Sequence, residues 1–395
     1  MQPSTRGALQ GIIVLELASY LTGPYASMLL ADLGAEVIKV EERSSGDPFR
    51  GWAEKGYDST FCSVNRNKKS ITLNLKAEEG RKIFLKLIQR ADVLIENFRP
   101  RVVQELSLDY ETVRKHNPQI VYCSISGFGQ EGPYRDWPGY DTIGQAMGGL
   151  LSLITDLENP TPVGVSLSDH ITGIFACYGI LAALYARERI GQGQKIETSL
   201  LQATASFVQE GAARHFATGV VPNRETRVQT AQVYAFTAKD GLPFVVHLSS
   251  PAKFWEGLTQ AIERPELRNN PQFQDREARI RHYEALHQIL TEIFATRSRK
   301  EWMERLRKHD VPCAPLYTLD EVFEDPQVRY LGMPVKLSHP KMGLIRLSGS
   351  PIQLSRTPVK YRLAPPTLGE HNEEILKGLG YDDETIERWQ QEEII

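Results

Sequence analysis

The chain has 395 residues, 41% hydrophobic and 24% charged, with a formal net charge of −3. That length supports two domains and a large core, and the near-balance of charge gives no reason to expect nucleic acid or an anionic membrane as partner. Four scattered cysteines, Cys62, Cys123, Cys177 and Cys313, contain no CxxC pair and fit buried thiols of a cytoplasmic protein better than a disulfide framework.

The opening residues, Met1 to Gly7, carry no apolar signal core. Residues 12–15 form a short β-branched run, as a buried parallel strand requires. A turn follows through Ala18, Ser19, Tyr20 and Leu21, with Thr22 or Gly23 suited to a helix cap and Pro24 to the first helical position. Residues 25–33 read as a helix stopped by Gly34, and residues 36–40 as a second strand, which completes a βαβ unit. The alternation continues with a helix over 76–90, a strand over 93–95, a short helix over 102–106 and a strand over 120–125. Helices over 142–153 and 170–187, a strand over 195–200 and a further helix complete an α/β domain with a mostly parallel sheet. The apolar stretch 171–186 is broken by Thr172, Gly173 and Gly179. It falls short of the roughly 18–20 residues a membrane span needs, so a buried core helix is expected and no membrane segment.

After residue 219 the pattern changes. Runs at 229–237 and 244–248 flank Lys239, Asp240 and Gly241, a hairpin signal, and helices are expected over 254–262, 283–295 and 299–308. This marks a smaller α+β domain. The tail is rich in Pro and Gly, with one helix over 370–379.

Open α/β sheets bind ligands outside the carboxyl ends of their strands. Four stretches sit there. Tyr20, Leu21 and Thr22 precede a helix and read either as a capping turn or as an anion site. Asn65, Arg66, Asn67, Lys68 and Lys69, followed by Leu73 and Lys76, read as a solvated basic loop or as phosphate contacts. Asn97 and Phe98, after a strand and before Arg99 and Arg101, offer a hydrogen-bonding edge and a stacking face, or an ordinary turn with a core ring. Residues 162–170 read as an apolar strand delivering Asp169 to a helix start, where it serves as an N-cap or as a nucleophile beside His170. A glycine-rich stretch, 126–133, leads to Tyr140 and Asp141, and Tyr140 reads as a substrate contact or a packed ring. GxGxxG, HExxH, a Cys/His cluster and a P-loop are all missing, so neither a dinucleotide fingerprint nor a metal centre is expected.

Taken together, these segments resemble the family III CoA-transferases. The matching stretches are residues 15–17 with Gly23 and Pro24, 32–41, 65–73, 91–100, 126–133, Tyr140 with Asp141, Asp169 with Gly173, and 191–195. Their order and spacing over the first half carry the likeness. The resemblance implies a Rossmann-like large domain over residues 1–220, a small α+β domain over 225–320, and a segment over 325–395 that returns to the large domain. It further implies an interlaced homodimer, with no permanently bound cofactor. The substrates would be an acyl-CoA donor and a carboxylic acid acceptor.

The family's CoA-binding positions fall on Tyr20, Leu21, Thr22, Leu73, Lys76, Asn97 and Phe98. Two arginine positions of the formyl-CoA transferases fall on Glu42 and Glu105, with Arg43 and Arg101 near enough to stand in. Asp169 takes the nucleophile position and Tyr140 the neighbouring active-site position. The implied chemistry passes through a mixed anhydride and an aspartyl-CoA thioester on Asp169. The glycine loop that covers the formyl-CoA transferase site has no counterpart over residues 224–232. The family's racemases carry His before the Asp matching Asp141, where this chain has Tyr140. A tyrosine is a poor base for proton removal near neutral pH, so transfer is preferred over 2-methylacyl-CoA racemisation. A dinucleotide-dependent oxidoreductase on the same kind of fold is the reading from another class.

Overall fold

Along strand β1 (Ile13–Leu17), Val14 and Leu15 are both fully buried and belong to separate apolar clusters. A strand enclosed on both faces has to be apolar throughout. The structure, a computed structural model, describes residues 7–52 and 59–395, so most of the opening segment read for a signal core lies outside it. Strand β1 is joined in parallel by β2 (Glu36–Glu41), β3 (Lys68–Thr72), β4 (Val93–Glu96), β5 (Val121–Ser126) and β6 (Lys195–Ser199). Their order is β3-β2-β1-β4-β5-β6. The chain winds outward in opposite directions from β1, so the switch point lies between the ends of β1 and β4.

One face packs Leu15, Leu94 and Tyr122 against Phe84, Leu376 and Trp389. The other packs Val14, Val37, Val93 and Val121 against Ala26, Leu30, Ala176 and Ile180. The tail is stitched to the outer edge, where Asn372 Oδ1 accepts from Thr72 N at 2.9 Å and its Nδ2 donates to Thr72 Oγ1 at 2.8 Å.

Strand β3 lies where a basic loop was expected. Its Lys68 is fully buried because Glu16 Oε2 lies 2.7 Å from its Nζ and the Pro24 carbonyl accepts from it at 2.8 Å. Arg66 is likewise sealed inside, forked onto Asp32. A charge read as solvated is therefore paired in the core, and neither group is free to meet a phosphate. Three further expectations change. The helix over 142–153 is two helices, Asp141–Met147 and Leu150–Ile154, split where Gly149 adopts φ +82°. Residues 162–166 form no strand. The Asp169 helix runs unbroken from Leu167 to Ile190, 24 residues, long and apolar enough to cross a membrane, although half of its most apolar stretch is buried. Its glycines sit at close approaches: a Cβ on Gly173 would lie 2.9 Å from the Thr22 carbonyl and one on Gly179 3.1 Å from the Ile196 side chain. Outside the expected elements lie a helix Tyr110–His116, a hairpin of β10 (Pro334–His339) and β11 (Gly343–Ser348), and a last helix Asp383–Gln391.

By contacts the described chain divides into two units. The sheet belongs to the first, with residues 162–209 and 327–395. The second comprises residues 152–161 and 210–326. Within it, β7 (Val233–Thr237) and β8 (Pro243–His247) form the expected hairpin around Gly241 at φ +77°, and β9 (Cys313–Pro315) joins β8. Its core holds Tyr234, Phe236, Phe244, Trp255, Phe294 and Trp302.

The tail's contribution is testable. Trp389→Ala empties a fully packed position and should cost about 3–5 kcal/mol, read as a lowered urea midpoint. A midpoint equal to the wild type would show that the tail is not part of the core.

Candidate active site

At the switch point the two strand ends are tied to each other. Ser19 N donates to Asn97 Oδ1 at 3.0 Å, and Asn97 Nδ2 returns a bond to Ser19 O at 2.8 Å. Beneath this turn lies a buried charge cluster. Lys39 Nζ sits 2.6 Å from Glu16 and 2.8 Å from Asp47, and donates to the Ala18 carbonyl at 2.9 Å. Asp47 Oδ1 accepts from Tyr20 N at 3.1 Å. Burial works against the Glu16 carboxylate, but Lys39 and Lys68 outweigh it and hold its pKa down at about 2. The cluster therefore grips both sides of a turn whose Tyr20 sits at φ +66°, a strained value for a residue with a side chain.

The helix that follows, Thr22–Asp32, begins earlier than the sequence suggested, with Thr22 in its first turn. Two glycines set its position. A Cβ on Gly23 would lie 2.4 Å from the Ala18 Cβ, and one on Gly173 would lie 2.9 Å from the Thr22 carbonyl. The Asp169 helix can thus approach closely, and Thr22 Oγ1 donates to Asp169 Oδ1 at 2.5 Å. Asp169 is neither a cap nor a strand-end residue. It lies within the first helical turn, after Ser166 at the cap. Its backbone N–H donates to Asp141 Oδ1 at 3.0 Å, and Gln145 holds the other Asp141 oxygen at 2.5 Å. Gly144 admits this arrangement, since its Cβ would fall 2.3 Å from Ser168 Oγ. Burial pushes the Asp169 carboxyl up to about 6; the Thr22 bond pulls down, Asp141 pushes up and His170 pulls down.

Asp169 lines a cleft of about 370 Å³ with Tyr20, Thr22, Asn97, Phe98 and Tyr140. Arg135, Trp137, Arg99 and the Ser126–Gly127 backbone region complete its wall. A second cleft, about 510 Å³, shares Ser19 and Phe98 as walls and adds Arg43, Leu73 and Lys76. Eight of the sequence candidates in these clefts are thus gathered around one switch point, and Asp169 with them.

Several residues of the sequence reading are held by partners of their own, Glu42 and Arg43 at the wall of the second cleft. Leu21 is buried with Met28, Phe49 and Phe61. Arg101 is exposed and paired with Glu105 at 2.7 Å, and it lines neither cleft. Glu42 closes its own turn, accepting from the N–H and hydroxyl groups of Ser44 and Ser45 at 2.7–2.9 Å. Arg43 is anchored by Glu393 at 3.2 Å. His170 turns from the cleft: its Nδ1 lies 2.7 Å from the Ser166 carbonyl and its ring packs on Tyr25. The thiols of Cys62, Cys123 and Cys177 are buried, and burial pushes Cys177 up to about 12. Arg135 and Trp137 went unnoticed in the sequence, and Arg99 was noted only beside Asn97 and Phe98. The nearby Gly127 and Gly139, whose backbones nearly touch, were the available signal for a closed loop.

A doubly wound sheet with a carboxyl nucleophile candidate at its switch point defines a class of acyl-handling enzymes only loosely. The comparisons narrow it. The model of CoA-transferase family III matches residues 9–372, and the chain belongs to that family. Formyl-CoA:oxalate CoA-transferase of Streptomyces avermitilis is 37% identical, covering 96% of this chain and 97% of that protein. Succinyl-CoA:glutarate CoA-transferase of Homo sapiens is 35% identical over 96% of this chain and 87% of that protein. The crystal structure of a CaiB/BaiF family protein from Brucella suis superimposes with a TM-score of 0.85 at 33% identity, covering 95% of this chain and 100% of that one. The protein is a CoA-transferase.

A carboxyl whose folded pKa is raised opposes folding once the pH exceeds its unfolded value. For Asp169 this penalty grows from about pH 4 to about 6 and persists above. Asp169→Asn should therefore melt at or above the wild-type temperature at pH 7.5, with the gain vanishing near pH 4. A lower melting temperature at pH 7.5 would contradict the raised pKa.

Proposed function

We propose that the chain moves CoA between carboxylic acids through covalent intermediates on Asp169. The observation that carries this reading is the position of the Asp169 carboxyl. It is half-buried, bonded to Thr22, and faces a cleft that shares Ser19 and Phe98 with a second cleft, where Arg43 and Lys76 lie among Glu41, Glu42, Asp47 and Glu393. Arg43 and Lys76 would meet the phosphates of CoA, Asn97 and Phe98 its adenine, and the thioester would reach Asp169.

Asp169 attacks the donor thioester carbonyl, the C–S bond breaks, and CoA thiolate departs from a mixed anhydride. The thiolate then attacks the aspartyl carbonyl and expels the donor acid, leaving an aspartyl-CoA thioester. The acceptor carboxylate attacks that thioester and frees the thiolate from a second mixed anhydride. Attack of the thiolate on the acceptor carbonyl gives the new thioester and restores the Asp169 carboxylate. Splitting the exchange this way replaces one hard step by several activated ones. The N–H groups of Thr22 and Gly23 precede the first intrahelical bond of the helix Thr22–Asp32, that of Tyr25 N to the Leu21 carbonyl. They are suited to stabilise the developing oxyanions. Racemisation would need a base opposite Asp169, and Tyr140 and the turned-away His170 do not supply one.

The two relatives named above act on oxalate and glutarate, both short dicarboxylates. We take a short dicarboxylic acid as one partner here. A homodimer is part of the same proposal: the outer face of the Asp169 helix exposes Ile174, Phe175, Tyr178 and Tyr185, an apolar strip of the kind that marks an interface.

Asp169→Asn should keep its circular dichroism spectrum and lose transfer by roughly 10³-fold or more. Near-normal turnover would remove Asp169 from the reaction. Because the attacking group is the carboxylate, wild-type kcat/KM should fall as the pH drops below about 6. Thr22→Val, which removes the bond that favours the anion, should move that limb to higher pH. An unmoved limb would separate it from Asp169.

A further inference from the structure

Between Ser126 and Tyr140 the chain makes a loop closed on itself. Its ends meet where a Cβ on Gly127 would stand 3.2 Å from the Gly139 Cα. Leu201 N ties the loop down by donating to the Gly127 carbonyl at 3.1 Å, and Gly129 N donates to Ser126 Oγ at 2.8 Å. The rings of Phe128, Tyr134 and Trp137 pack on one another, with the Tyr134 and Trp137 centroids 4.1 Å apart. Tyr134 and Trp137 stay 37% and 50% exposed, so the rings brace the loop without sealing a core, and a braced loop can hold a side chain in a set direction.

That side chain is Arg135. It lines the Asp169 cleft, on the wall that also carries Trp137 and Tyr140. Its Nε is shielded from solvent and has no hydrogen-bond partner among the described residues. Its one ion pair there is with the adjacent Asp136 at 3.6 Å, too long for a hydrogen bond. A smaller neighbouring cleft also borders it, but its carboxylates, Glu96, Asp109, Glu131 and Glu197, form no ion pair with it among the described residues. The side chain as a whole is 40% exposed, so the rest of the guanidinium is open to solvent, but its shielded Nε donor is left without a partner and calls for an acceptor. The other cation in the Asp169 cleft, Arg99, is exposed beside Asn97 and Phe98, on the side assigned to CoA.

We propose that Arg135 binds the distal carboxylate of a dicarboxylic substrate while the proximal one reacts at Asp169. The planar fork of a guanidinium matches a carboxylate by two parallel hydrogen bonds, which a lysine cannot reproduce. A monocarboxylic acid of the same length would leave that donor unpaired, and this is how a site selects strongly for a polar group. Arg135 is thus a specificity residue for the acid and not part of CoA recognition. The inference rests on the transferase reading.

The test compares acceptors of matched length, succinate with butyrate and glutarate with valerate, at one saturating acyl-CoA donor. New thioesters are measured by mass spectrometry for the wild type, Arg135→Gln, Arg135→Lys and Arg99→Gln. Arg135→Gln should lower kcat/KM for the dicarboxylate of each pair by roughly 10- to 100-fold. The monocarboxylate should lose much less, so that the dicarboxylate-to-monocarboxylate ratio falls, and Arg135→Lys should recover part of the loss. Equal losses on both acids, an unchanged ratio, a wild type that prefers the monocarboxylates, or a ratio that collapses in Arg99→Gln instead would each overturn the assignment. A wild type that transfers CoA to neither acid of either pair would count against the transferase reading itself, and Arg135 would fall with it.

Discussion

The close approach of two helices sets the chemistry of this protein. The helices Thr22–Asp32 and Leu167–Ile190 meet where Gly173 leaves no room for a Cβ against the Thr22 carbonyl. Side-chain hydrogen bonds of 2.5 Å demand placement to within a few tenths of an ångström. Thr22 reaches Asp169 at that distance because backbone meets backbone first. A larger residue at position 173 would push the helices apart and separate the pair, although neither partner had changed.

The first helix is itself held from below. Glu16, Lys39, Lys68 and Asp47 make a buried charge cluster across three strands and the following turn. Buried ion pairs contribute little net stability, since desolvation offsets most of the attraction. Their effect here is geometric: the cations hold the Ala18 and Pro24 carbonyls, and Asp47 holds the Tyr20 amide. The turn is thereby kept at its strained Tyr20, with the Asn97–Ser19 clasp closing the far side. Asp169 pays the opposite kind of cost, because its carboxylate is desolvated above a pH of about 6. A weakly solvated anion is also a better nucleophile, which is the usual conflict between stability and activity at a working site.

Much of this could be read in the sequence, for reasons that differ by residue. The βαβ start was legible because residues 12–15 are apolar on both sides and Gly34 stops the helix. Asn97, Phe98, Lys76 and Leu73 were legible as cleft residues by their place after strands and by family resemblance. Strand β3 was not, because Lys68 and Lys69 look solvated until their partners are known; Glu16 is 52 positions from Lys68 in the chain, and no local pattern links them. Arg101 shows the converse. It lies close in sequence to the site, but its exposed side chain pairs with Glu105, an (i, i+4) partner, and lines neither cleft. Arg135 was hidden because its orientation depends on ring packing within one loop.

The central claim is that one carboxylate becomes covalently joined to substrate in each cycle. The most direct measurement is mass spectrometry of the protein incubated with an acyl-CoA and quenched with hydroxylamine or borohydride. The account predicts a modification on the peptide containing Asp169, absent without acyl-CoA and absent in Asp169→Asn. Modification of another carboxylate, or none at Asp169 while thioester exchange proceeds, would contradict it.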